Sequence, residues 1–254
     1  MSIRNKINWI LTWTGAFLLK KSLSGRLRQD GARWVQTAGS DTTTIYNRID
    51  FILDHCKGRT ILHIGFTDHP FTVEKIKDGS LLHIQLKKVA DSLIGVDNVK
   101  DSVDAYTNAT GDKQVFYTDI LDQYPPEVVV QNPEIILLAE VLEHLTEPQK
   151  AVDTIYATFQ DGTKLIVTVP NYAGLDSLAA SLNKTESIHP DHHWYLSPYT
   201  LTRLFSRDHF EREELHFGMY YQPRAGINSF LKQYPYNGDC IIAVFKIKKN
   251  RINA

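Results

Sequence analysis

Glu140, Glu143 and His144 follow directly on the apolar run Ile135, Ile136, Leu137, Leu138, in the stretch AEVLEHL at residues 139–145. Ionisable side chains placed behind a buried strand must be hydrated, hydrogen-bonded or paired, because leaving them dry and unpartnered is expensive. If a helix begins at Glu140, the three side chains lie at i, i+3 and i+4 and share one face. Two carboxylates and an imidazole converging on one spot repel and desolvate one another unless a cation joins them. A divalent metal meets that need, and mixed carboxylate and imidazole ligands suit Mg, Mn or Fe better than a structural zinc. Without a metal, the same place suits a general base, with His144, His192 or His193 as the candidates and Glu143 beside them.

Such side chains need a scaffold that brings several strand ends together. Short apolar runs recur at residues 60–64 (TILHI), 93–96 (LIGV), 114–117 (QVFY), 134–138 (EIILL) and 164–169 (KLIVTV), separated by helical patterns or polar turns. Runs of this length and spacing predict a parallel sheet covered on both faces. Residues 214–219 and 239–247 read as strands without a long helix between them, which predicts an antiparallel pair at one sheet edge. Ile45, Ile49, Phe51, Ile52 and Cys56 recur at helical spacing, and Gly58 ends that helix.

In an open sheet of this kind a ligand sits beyond the carboxyl ends of the strands, where the strand order reverses. Asp97 follows the second run and is placed to accept hydrogen bonds from both hydroxyls of a ribose. Asp119 and Ile120 follow the third and can bracket an adenine. After the first run stand Gly65, Phe66, Thr67, Asp68, His69 and Pro70, with only the first glycine of the Gly-x-Gly-x-x-Gly pattern that admits a pyrophosphate. A nicotinamide dinucleotide is therefore disfavoured, whereas a nucleoside cofactor without phosphate is not.

The rest of the chain sets the context. A net charge of −1 over 254 residues gives no general attraction to polyanions, and no basic stripe with interleaved aromatics is present beyond the N-terminus, so nucleic acid is not the expected partner. Cys56 and Cys240 stand far apart in no metal-type spacing, which fits a reducing, cytoplasmic location. Residues 1–40 divide off as a basic and apolar helix with a connector, leaving 41–254 as one domain. The apolar run at residues 7–19 is shorter than the about 20 residues needed to span a bilayer. With Trp9, Trp13 and Phe17 among flanking cations, residues 4–28 read either as an amphipathic helix on the inner membrane face or as a helix packed on this domain or on a second copy in a homodimer.

The segments TILHIGFTDHP, LIGVDNV, VFYTDILD, EIILLAEVLEHLTEP and TKLIVTVPN, in that order, resemble those of class I S-adenosylmethionine-dependent methyltransferases. LEHL and VPN look like the branch that contains ubiquinone-pathway and sugar O-methyltransferases. The resemblance implies an α/β, Rossmann-like sheet of seven mostly parallel strands with one antiparallel strand near an edge, and helices on both faces. It implies that S-adenosylmethionine is held by His63, Gly65 and Thr67, by Asp97 and Asn98, by Asp119 and Ile120, and by Ala139 and Glu140. Where the family ends its first strand with an acidic residue and adds two glycines, this chain has His63, Thr67 and His69. The Glu-x-x-Glu-His spacing also resembles the metal-binding segment of small-RNA 2′-O-methyltransferases, in which a further histidine follows the fifth strand. His192 aligns with it ahead of His189, giving Glu140, Glu143, His144 and His192 as the implied ligand set.

Three functions are compatible with these readings. The first is O-methylation of a sugar hydroxyl in a glycan or glycolipid, with residues 171–196 as a lid whose Asn171, Tyr172, Trp194 and Tyr195 meet the sugar. The second is methylation of a small phenolic, quinone-type or RNA 3′-terminal acceptor. The third is a scaffold that kept the fold and lost the reaction.

Overall fold

Alternate residues of the apolar runs face opposite ways along an extended chain, so a run that is apolar throughout must be covered on both sides. In the computed structural model, which describes residues 45–221 and 225–249, the runs form one sheet. Its strands are β1 (Ile45–Asn47), β2 (Thr60–Ile64), β3 (Ser92–Asp97), β4 (Val115–Tyr117), β5 (Ile135–Ala139), β6 (Lys164–Pro170), β7 (Phe210–Met219) and β8 (Cys240–Ile247). They lie in the order β1-β7-β8-β6-β5-β2-β3-β4. β8 alone runs against its neighbours, pairing antiparallel with both β6 and β7, and the other pairings are parallel. The antiparallel pair is as the sequence predicts. The strand count is one higher than the resemblance implies, because β1 adds a parallel edge against Phe217, Gly218 and Met219.

That edge strand also moves the first helix. The apolar spacing starts a helix at Ile45, but α1 (Arg48–Cys56) begins three residues later, with Asn47 as its cap. The side-chain oxygen of Asn47 accepts from the N–H groups of Ile49 and Asp50 at 3.0 and 3.1 Å, satisfying two donors that the helix cannot satisfy itself. The segments expected at residues 1–40 and 4–28 lie outside the described residues.

Between the strands run α2 (Thr72–Asp78), α3 (Leu82–Leu86), α4 (Lys100–Thr110), α5 (Pro126–Val129), α6 (Pro148–Thr158), α7 (Leu175–Leu182), α8 (Pro198–Leu204) and α9 (Ala225–Gln233). Leu62, Ile64, Ile94, Val96, Ile136 and Leu138 pack with Ala151, Val152 and Ile155 of α6 on one face. Their strand neighbours Ile61, Leu93, Ile135 and Leu137 pack with Phe51, Ile52 and Cys56 of α1 on the other. The chain passes from β2 outward through β3 to β4, then returns to place β5 on the opposite side of β2. The strand order therefore reverses between β2 and β5, and loops leaving those two strands diverge there.

Candidate active site

A cavity of about 430 Å3 opens beyond the carboxyl ends of β2, β3 and β5. Its lining includes His63, Gly65, Thr67, Asp97, Asn98, Ile120, Ala139, Glu140, His144 and His192, all singled out from the sequence. Arg48, Phe66, Val141 and His189 complete much of the wall. The size lies within the range of small-molecule sites.

The loop after β2 is held open by two devices. Gly65 has φ +67° and a Cβ there would stand 2.7 Å from Cγ2 of Val141, so only glycine lets the β5 loop come this close. Thr67 donates its N–H at 3.0 Å and its hydroxyl at 2.8 Å to Oδ2 of the buried Asp97, while the N–H of Val99 donates to Oδ1 at 3.0 Å. The atypical threonine thus clamps the loop to the acid at the end of β3. A carboxylate oxygen can accept two hydrogen bonds, so Oδ1 keeps acceptor capacity toward the cavity.

His63 occupies the place where the family carries an acid. It is buried with His83, their Nδ1 atoms 3.2 Å apart, so one ring donates and the other accepts. Burial holds both rings neutral, pushing His63 well below its ordinary pKa with His83 and Arg48 adding to the effect, and His83 down to about 3. Phe66 packs over β3 beside this pair, where a Cβ on Gly95 would lie 2.8 Å from its ring. His69, also on the cavity wall, lies with Nδ1 3.1 Å from the Ser102 hydroxyl.

The residues after β5 do not start a helix. Glu140 takes φ +58°, and a single 3₁₀ turn covers Leu142–His144, so the shared face expected for Glu140, Glu143 and His144 never forms. Glu140 stays at the strand end, where it accepts from the Thr168 hydroxyl at 2.7 Å and from the Tyr220 hydroxyl at 2.5 Å. Glu143 turns inward and is buried, and neither carboxyl oxygen has a hydrogen-bond partner among the described residues. Burial, then the neighbouring Glu140, raise its pKa well above the usual carboxylate range and favour the protonated form. The four-ligand set of Glu140, Glu143, His144 and His192 is therefore not assembled: among the described residues neither carboxylate joins His144 and His192 in a group with ligand atoms within 4.8 Å of one another.

A different group forms instead. His144 meets His189 and His192 from the loop after α7, with ring centroids 5.7 Å and 4.5 Å away, and His189 and His192 are 5.2 Å apart. One nitrogen from each ring lies within 4.8 Å of the other two. Burial, then the neighbouring His189, lower the pKa of His144; burial, then His144 and His189, bring His192 down to about 4. His193 is not part of the cluster or of the cavity wall, and its N–H donates to the Glu143 carbonyl at 2.8 Å. Asp119 also stands off the cavity, capping a turn through the N–H of Leu121 at 2.9 Å, and leaves Ile120 as the residue of that pair on the wall.

The lid splits in two. Asn171 is buried, donating to the carbonyls of Tyr236 and Gly238 at 2.7 and 2.9 Å and accepting from the N–H of Ala173 at 3.1 Å, so it ties loops together and does not face an acceptor. Tyr172, Trp194 and Tyr195 remain 49, 44 and 43 % exposed, as a surface for stacking requires.

Arg48 is the residue the sequence reading passed over. It opens α1, where a cation opposes the helix dipole. That position is the signal that would have found it. Its guanidinium carbon lies 5.4 Å from the Tyr220 ring centroid, Nε is buried without a partner, and no carboxylate lies within ion-pair distance among the described residues. A cation held this way on a cavity wall attracts an anionic group of a ligand.

Residues 50–215, more than half of the 254-residue chain, match the methyltransferase-domain family, and the chain belongs to that family. No curated protein matches the sequence. Among solved structures, the small RNA methyltransferase HEN1 is similar at 15 % identity and a TM-score of 0.56, over 88 % of this chain and 28 % of that one. A SAM-dependent methyltransferase from Thermotoga maritima is similar at 13 % identity and 0.53, over 79 % and 87 %. Another from Archaeoglobus fulgidus gives 16 % identity and 0.51, over 79 % and 91 %. These likenesses show the fold. Family and fold together support a class I methyltransferase with S-adenosylmethionine as methyl donor.

Proposed function

We propose that this chain transfers the methyl group of S-adenosylmethionine to a sugar hydroxyl of a glycan or glycolipid. One observation carries the reading: a single cavity is lined by a ribose-type acid, an arginine with no ion-pair partner among the described residues and a cluster of three imidazoles. Asp97 accepts from the ribose, Ile120 packs against the adenine, and the Arg48 guanidinium takes the α-carboxylate. The sulfonium then stands near Glu140. A hydroxyl oxygen in line with the methyl carbon forms the O–C bond as the S–C bond breaks, leaving a neutral thioether. The O–H proton leaves at the cavity mouth, where His144, His189 and His192 are the basic groups. The sugar preference is supported by exposed Tyr172, Trp194 and Tyr195, since the last two share a loop with His189 and His192 and aromatic faces stack on sugar rings.

The test is methyl transfer from radiolabelled S-adenosylmethionine to a panel of saccharide, phenolic and 3′-terminal RNA acceptors. Label is expected in a saccharide, in an alkali-stable ether. Label in a phenol or RNA and in none of the saccharides contradicts the acceptor class.

A further inference from the structure

The histidine cluster at the cavity mouth carries one step more. Three imidazoles from two separate segments converge, His189 and His192 each standing edge to face with His144, with one nitrogen of each ring within 4.8 Å of the others. No hydrogen bond among the described residues joins any two of the three rings. The Asp191 N–H donates to Nδ1 of His189 at 3.3 Å, and the Asp191 carboxylate lies 3.9 Å from the same nitrogen. We propose that His144, His189 and His192 form a three-imidazole site for a borderline divalent cation of the zinc and cobalt class, with its open position facing the cavity.

The ligand chemistry decides the metal class. Three imidazole nitrogens with no carboxylate among them favour zinc, cobalt or nickel over magnesium or manganese, which take oxygen ligands. Zinc at about 2.0–2.1 Å from each nitrogen draws a tetrahedral set to roughly 3.4 Å separation. Rotation of His189 and His192, both carried on a loop, supplies that contraction. Three protein ligands leave a fourth position free, the arrangement of catalytic rather than structural zinc. The site deepens the reading above for its position beside the acceptor, replacing three separate proton acceptors with one cation, yet metal uptake is measured without any reaction.

The full-length protein, stripped with EDTA and dialysed, is titrated with cobalt chloride and followed by visible absorption. Uptake of about one cobalt per chain is expected, with the strong bands of a four- or five-coordinate site, bleached by added zinc chloride. H189A and H192A, both loop substitutions, each weaken uptake by at least about tenfold. E143Q leaves it unchanged, because Glu143 is buried and supplies no ligand atom to the cluster. Absent bands, unchanged uptake in H189A and H192A, or loss of uptake in E143Q overturns the site. Calorimetry with S-adenosylhomocysteine in EDTA separates the two readings. Cobalt uptake without adenosyl binding keeps the metal site and removes the methyltransferase reading; the reverse result does the opposite.

Discussion

Gly65 is the least replaceable residue on the cavity wall. A side chain there must adopt φ +67° and displace Val141 from 2.7 Å. Gly65→Ala is expected to lower the unfolding free energy by about 2 kcal/mol, read as an earlier urea midpoint at unchanged slope. Glu143 gives a prediction with a definite sign. Its carboxyl holds its proton to higher pH in the fold than in the unfolded chain, where it ionises above about pH 4.3, so its contribution to stability is full below that pH and falls as pH rises. E143Q cannot ionise in either state, and its stability should gain on that of the wild type between about pH 5 and pH 8. A pH-independent difference between the two contradicts the buried acid. His63 and His83 work the other way: neutral in the fold, they take protons when unfolded below about pH 6.5, so stability is present above that pH and lost below it. The H63L/H83L double variant should lose less stability than the wild type on acidification from about pH 7 to about pH 5.

At the scale of elements, α1 and the turn after β5 decide what reaches the cavity. Asn47→Ala removes the acceptor for two helix donors and should destabilise the protein by about 1 kcal/mol in urea unfolding, with Asn47→Asp restoring most of it. The same loss frees the first turn that carries Arg48, so adenosyl affinity should fall with stability. The strand ends that carry Asp97 and Ile120 were legible because an apolar run followed by a polar residue marks both the strand and its exit. The start of α1 was not, since Ile45 continues the helical spacing while lying in a three-residue strand, too short to show a period of its own. Glu140, Glu143 and His144 were assigned one helical face for a related reason. Pro148 at the first position of α6 already implied that the helix starts there, leaving residues 140–147 for a turn whose left-handed Glu140 no spacing rule reveals. His189 and His192 were visible as loop histidines, but their meeting with His144 depends on the path of a loop.

At the scale of the molecule, alternation of apolar runs and helices was enough for a two-faced parallel sheet, while the strand order that creates the cavity depends on long-range pairing. Protection should follow that order. Amides of β2, β5 and β6, flanked by strands on both sides, are expected to exchange slowest with solvent deuterium, and those of the edge strands β1 and β4 fastest. Equal protection of β1 and β5 contradicts the edge position of β1. The central claim is that an adenosyl ligand fills the space above β2 and β3, gripped by an acid and a cation on opposite ends of the ligand. Titration calorimetry of the full-length protein with S-adenosylhomocysteine measures it. A dissociation constant on the order of micromolar is predicted for the wild type, weakened at least about tenfold in both D97A and R48A. No heat at roughly millimolar ligand, or affinity untouched by either substitution, contradicts it.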